Sequence, residues 1–370
     1  MERCVLALSS SSVNEEAYSE IQTQLDTNEI KPILLIVTAE VDMLWFFALK
    51  LQERYPDAVV VGSTTYINYS SEGYSHCGAS VMAINSGIEV SAGLIFDVDR
   101  HPSMYKAHIK QALDKLSSHE NTCCLEFVTS FGKGEELVLD TFEEVLEGSG
   151  IRVAGASAGS PSERRESFVS LGKDLFKQTC VFVFIHNLEG KIGFFRENVY
   201  KPTMHKFSAS YVDCEERLVV EYNNRPAAEI LAETLGVPQN ELANQLFQHP
   251  MGRLLDGDIY ITSADQIFDD GSISYFSRIY NHTKMLLLEP DDFRRVWRET
   301  FSRVEGEISK PSFSISINCF LRTMLFEEEG CFGEFVNQLR GYGSFIGISG
   351  YGEQLDYIHL NQTMVLLVFE

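Results

Sequence analysis

Residues 344–370 read SFIGISGYGEQLDYIHLNQTMVLLVFE. The apolar run from Ser344 to Ile348 meets Gly347 and Gly350 and then turns polar, the pattern of a strand that delivers its end into a loop. That loop carries Tyr351, Glu353 and His359. Asn361-Gln362-Thr363 then leads into Met364 to Phe369, a run apolar enough for a buried strand. Polar groups therefore sit between two core strands.

The same arrangement occurs twice more. ILLIVTA from Ile33 is followed by an amphipathic stretch from Asp42 to Tyr55, then by AVVVG ending at Gly62 and by Ser63-Thr64. LEFVTS from Leu125 is followed by a stretch from Glu135 to Glu147, then by IRVAG ending at Gly155 and by Ala156-Ser157. FSISINC from Phe313 leads through Met324 to Leu339 into SFIG and Ile348-Ser349. Each copy closes on an apolar strand, Ala79 to Ile84, Cys180 to Ile185 and Met364 to Phe369. The period is too long for a solenoid, so the pattern predicts a strand, helix, strand, loop, strand unit repeated within one architecture. Glycine at each strand end permits close backbone approach, and the three corners are expected to converge around a hollow.

The charge balance, 53 acidic against 30 basic residues for a net −23, opposes binding to nucleic acid or anionic lipid. No apolar run approaches the length of a membrane span, and the N-terminus lacks a secretory signal pattern. A cytoplasmic location is expected. Eight cysteines without CxxC spacing suit reduced, packed thiols, and the nine histidines show no ligand spacing, so neither metal nor cofactor is expected.

The expected fold class is α/β to α+β, with mixed β-sheets flanked by helices in an internally duplicated two-domain architecture. Residues 1–29 supply a leading strand and helix, residues 30–205 a first domain and residues 206–370 a second. Ser86-Gly87 and Asn187 to Gly190 read as hairpin turns. Ser63 to Gly78 and Ser157 to Lys177 read as long loops, the latter with Arg164 and Arg165 adjacent. Pro226 at a first helical turn, capped by Asn223 or Asn224, opens a helix stopped by Gly236.

The order of motifs resembles the FIST family of tandem N and C sensory domains. The resemblance rests on VVVGSTT at 59–65, VAGASAG at 153–159, QTCVFVF at 178–184, YNNRPAAEILAETLG at 222–236, FDDGSISYFSRI at 268–279, INCFLRTMLF at 317–326 and GISGYGEQLDYIHLNQTM at 347–364. It implies a sensor that binds small ligands such as amino acids and passes the signal on. The chain begins at its first strand and ends inside its last, so a downstream signalling protein is expected to act in trans.

Arg322 is the first ligand candidate, because a guanidinium fork holds a carboxylate bidentately; its structural alternative is a pair with Glu327 or Glu328. Glu353 suits a ligand ammonium or a pair with Arg322. Tyr351, Asn361, Thr363, Ser63, Thr64, Ser157 and Ser349 complete the candidate lining, with tying loop to backbone the favoured role of Asn361 and Thr363. Cys319 is a further candidate. A different class of function would use Cys319 or Ser157 as an acyl-transfer nucleophile, and a third is a scaffold that binds only protein.

Overall fold

The computed structural model describes residues 3–26, 30–160, 165–255 and 257–370; Arg164 of the charged loop lies outside them. The first repeat comprises β1 (Cys4–Ser9), α1 (Asn14–Leu25), β2 (Leu34–Ala39), α2 (Val41–Arg54), β3 (Val59–Thr64), β4 (Asn68–Ser70), β5 (Gly73–Ser75) and β6 (Ala79–Ile84). β2 runs parallel to β3 and antiparallel to β6. The second repeats the order with β7 (Ile88–Phe96), α3 (Lys106–Leu113), β8 (Thr122–Val128), α4 (Glu135–Leu146), β9 (Arg152–Ser157), β10 (Val169–Leu171), β11 (Asp174–Phe176) and β12 (Thr179–Asn187).

The third repeat opens with β13 (Ile192–Asn198) and is then interrupted. The interruption holds β14 (Tyr200–Asp213), β15 (Leu218–Tyr222), β16 (Arg225–Pro226), α5 (Ala227–Leu235), α6 (Leu242–Gln248), β17 (Met251–Leu255), β18 (Asp258–Thr262), β19 (Ala264–Ile267), β20 (Ile273–Tyr275) and β21 (Lys284–Pro290). The repeat resumes with α7 (Phe293–Glu307), β22 (Phe313–Cys319), α8 (Phe320–Glu328), α9 (Phe332–Leu339), β23 (Ser344–Gly350), β24 (Gly352–Leu355), β25 (Ile358–Leu360) and β26 (Thr363–Phe369).

Compactness divides the chain differently from the sequence boundary at 205. One unit joins the chain up to Glu197 with Trp297–His359 and Met364–Glu370, and the other joins Asn198–Val296 with Leu360–Thr363. The second unit is an antiparallel set of strands in the order β18-β17-β21-β14-β15-β20-β19, and α5 and α6 supply much of its core through Leu231, Leu242 and Leu246. Pro226 is the residue before α5 rather than inside its first turn, and Asn223 and Asn224 take left-handed φ of 52° and 61° in the turn joining β15 to β16. Gly236 ends α5 at φ 70°, as expected.

The three sheets of the first unit exchange strands cyclically. Their orders are β1-β6-β2-β3-β10-β11, β7-β12-β8-β9-β24-β25 and β13-β26-β22-β23-β4-β5. The segments after the corner glycines that read as loops are thus hairpins, each pairing with another repeat: β4 on β23, β10 on β3, β24 on β9. The turns at Ser86-Gly87 and Asn187 to Gly190 do not make hairpins. β6 and β7 belong to different sheets, as do β12 and β13, because each closing strand pairs with its own repeat's central strand. Helices cover the outer faces. α2, for example, buries Met43, Leu44, Phe47, Ala48 and Leu51, with spacing that places them on one side, and full burial of such side chains is worth about 1.5–3 kcal/mol each.

The corner glycines face this helical layer, and neighbouring side chains occupy the room they leave. A Cβ on Gly347 would lie 2.0 Å from the ring of the fully buried Tyr69, one on Gly155 2.3 Å from Glu126 Oε1, and one on Gly62 2.6 Å from Ser170 Oγ. Ser170 can rotate, but the Tyr69 ring is wedged against Phe332, Phe335 and Phe345. Gly347→Ala is therefore expected to destabilise by about 1–3 kcal/mol through overpacking, clearly more than Gly62→Ala in urea denaturation. Equal losses would mean that Tyr69 swings aside freely.

Candidate functional site

The strand ends that follow the three glycines meet in a closed ring of backbone hydrogen bonds. Tyr66 N–H donates to Ser349 O at 2.8 Å, Gly159 N–H to Thr64 O at 2.9 Å, and Tyr351 N–H to Ser157 O at 3.0 Å. Each donor stands four residues after its glycine and each acceptor two. The corners converge as the repeat implied, and the ring satisfies backbone groups that would otherwise be buried without partners.

The predicted lining residues fall into separate groups. Ser349 Oγ contacts Thr323 Oγ1 at 3.0 Å, Thr323 Oγ1 receives Asn318 Nδ2 at 2.8 Å, and Cys319 is buried beside them at the start of α8. Arg322 is fully buried, and its fork is taken by Glu197 and Asn318 Oδ1 rather than by Glu327, Glu328 or Glu353. Ser157 Oγ accepts from Gln354 Nε2 at 3.0 Å, and Glu353 is buried opposite Ala156. Ser63 Oγ donates to Thr64 O at 3.0 Å, and Thr64 Oγ1 accepts from Phe168 N–H at 3.1 Å. Asn361 and Thr363 are assigned to the second unit, where Asn361 Oδ1 accepts from Ser263 N–H at 3.3 Å. Cys319 and Ser157, the nucleophiles of the acyl-transfer reading, present at most 1% of their surface.

Of the predicted residues, Tyr351 is half-buried and borders open space. Its ring lies 4.4 Å from Phe320 and 4.6 Å from Phe131, Phe320 lies 6.0 Å from Tyr66, and the Arg165 guanidinium sits 4.9 Å over Phe131. This ridge of aromatic rings caps the hydrogen-bond ring. Tyr351 Oη donates to Ser160 O at 2.7 Å, and burial pushes its hydroxyl up to about 12.

Beside the ridge lies a recess of about 230 Å³ lined by Asp99, Ser130, Phe131, Arg165, Lys177 and Gln178, among others. Both signs of charge are present. Lys177 pairs with Glu166 at 3.1 Å, Gln178 Nε2 reaches Asp99 at 3.5 Å, and Ser130 Oγ donates to Ala158 O at 2.8 Å. Phe131, Lys133, Arg165 and Gln178 hold left-handed φ of 72°, 57°, 51° and 48°. Such conformations cost an L-residue on the order of 1 kcal/mol or more and gather at binding sites. Sequence reading singled out Arg165 only for its charge and missed the rest. The available signal was TSFGKGEE at 129–136, a strand entering a glycine-flanked lysine ahead of a helix.

Among the described residues no cluster of His, Cys, Asp and Glu is placed to hold a metal, and no helix is long and apolar enough to cross a membrane. The FIST N domain model matches residues 33–225 and the FIST C domain model residues 227–356. No curated protein matches the chain. A solved structure described as "Cyanuric acid hydrolase: evolutionary innovation by structural concatenation" is similar over 99% of this chain and 98% of its own, at 9% identity and a TM-score of 0.32, a likeness too low to carry an argument. With the N and C models matched in tandem along a fold of mixed sheets and helices, the chain belongs to the FIST family, whose domains are sensory modules of signal transduction.

Proposed function

We propose that this protein is a cytoplasmic sensor that binds an amino acid or small carboxylate and hands its state to a downstream signalling protein. The recess between Asp99, Arg165 and Lys177 supports this reading more than any other feature, since cations and carboxylates stand around a space of small-metabolite size beside the aromatic ridge. Arg165 and Lys177 would face a carboxylate, and Asp99 and Glu166 an ammonium. The cytoplasmic assignment draws on eight free cysteines.

A thermal-shift screen against amino acids and small carboxylic acids tests it. Ligand at 100 times its Kd stabilises the native state by about 2.7 kcal/mol, which raises Tm by a few degrees. The shift is expected to vanish in Arg165→Ala, an exposed position where folding is preserved. A library without a hit, or a hit indifferent to Arg165→Ala, would remove the recess as the site.

A further inference from the structure

Each corner glycine is flanked in its sheet by two residues directly opposite it, one on the repeat's central strand and one on the exchanged hairpin. These pairs are Val37 and Ser170 about Gly62, Glu126 and Gln354 about Gly155, and Ser316 and Tyr69 about Gly347. Residues opposite one another across a sheet project to the same face. About Gly347 the flanking side chains meet over the glycine, with Tyr69 Oη 3.0 Å from Ser316 Oγ. About Gly62 one flank is apolar, and Ser170 Oγ, leaning over the glycine, makes no hydrogen bond among the described residues.

About Gly155 both flanks are polar, fully buried and incompletely satisfied. Glu126 Oε2 accepts from the Cys180 thiol at 3.4 Å, while Oε1, which leans over Gly155, has no hydrogen-bond partner among the described residues. Gln354 Oε1 is in the same condition, although Nε2 reaches Ser157 Oγ at 3.0 Å and His359 Nδ1 at 3.1 Å. Two buried oxygens without partners thus belong to the residues on either side of one that has no side chain.

We propose that Glu126 and the Gln354 amide share a hydrogen bond over Gly155 whose direction reverses when Glu126 gains or loses its proton. With the proton on, Glu126 donates to Gln354 Oε1, and Nε2 donates to Ser157 Oγ and to an unprotonated His359 Nδ1. With the proton lost, the amide makes a half-turn, Nε2 donates to the carboxylate, and Oε1 accepts from Ser157 Oγ–H and from His359 Nδ1–H. The imidazole proton moves from Nε2 to Nδ1 by exchange with solvent, so each of the three contacts of the amide, with Glu126, Ser157 and His359, keeps one donor and one acceptor in both states. The titratable groups around Glu126 are Cys180 on β12, Cys124 on its own strand, Glu135 on α4 and, through the amide, His359 on β25. Burial pushes the carboxyl up to about 8, helped by Glu135, so the reversal falls near neutral pH. Ser157 also supplies the carbonyl that accepts from Tyr351 N–H, so the hydrogen bond over Gly155 adjoins the ring.

The test is NMR on the full chain with ¹⁵N-labelled histidine and ¹³Cδ-labelled glutamate, with His359 assigned from His359→Asn. The His359 ring is expected to change from the Nε2–H to the Nδ1–H tautomer at the pH where the buried glutamate resonance titrates. Gln354→Leu, which removes the amide, should leave the tautomer fixed. A wild-type His359 whose tautomer stays constant through that titration overturns the proposal without any variant, as does a switch that survives in Gln354→Leu.

Discussion

Arg322→Met is expected to destabilise the protein by about 3–5 kcal/mol, the range for breaking a buried ion pair by removing one partner. The guanidinium is fully buried and Glu197 is 2% exposed, so neither charge borrows solvation from water. Phe326 and Phe335 lie 4.7 and 5.0 Å from the guanidinium carbon, and Asn318 accepts one of its N–H groups. Loss of Arg322 leaves a carboxylate facing hydrocarbon. Glu197→Gln/Arg322→Met removes both charges and should recover at least about 2 kcal/mol of the loss, since buried pairs often exchange for neutral groups at little cost. Urea denaturation of the four-member cycle reads the coupling. Additive losses would show that the two residues act independently. The result also bears on ligand work, because weak binding by an Arg322 variant would report on folding before it reported on contact with a ligand.

The partner of Arg322 explains why this site was only half legible. Glu197 lies 125 positions away, on the strand that precedes the interruption, whereas Glu327 and Glu328 are only five and six positions from Arg322 in the sequence. Spacing reveals only local partners. The threefold repeat was legible because parallel βαβ pairs carry their apolar strands and helix spacing in continuous sequence. The exchange of hairpins was not, since β4, β10 and β24 are three or four residues long and pair with strands of another repeat. Their polar, aromatic composition resembles a loop because it faces buried partners such as Ser316 and Ser157. Phe131 escaped notice for a different reason: an aromatic residue gives no advance sign of a left-handed φ.

The buried carboxyl of Glu126 should make the stability of the whole fold depend on pH in a window set by one residue. Its folded value, about 8, stands above its ordinary value of 4.5. Between those limits the unfolded chain has released the proton and the native chain retains it, so unfolding releases a proton and stability falls as pH rises. Below about pH 4.5 both states are protonated and the penalty is absent; above about 8 it is complete. At about 1.4 kcal/mol per pH unit, the total is on the order of 5 kcal/mol, most of it present by pH 8. Glu126→Gln keeps the shape and removes the titration. Its stability relative to wild type should therefore climb across the window, from about zero near pH 4 to roughly 4 kcal/mol by pH 8. Other titrating groups cancel in the difference between the two proteins, which makes that difference the quantity to measure by denaturation at each pH. A difference that stays level from pH 4 to 8 would mean that Glu126 ionises in the native state as readily as in the unfolded chain, against the desolvation that burial beside a thiol imposes on its charged form.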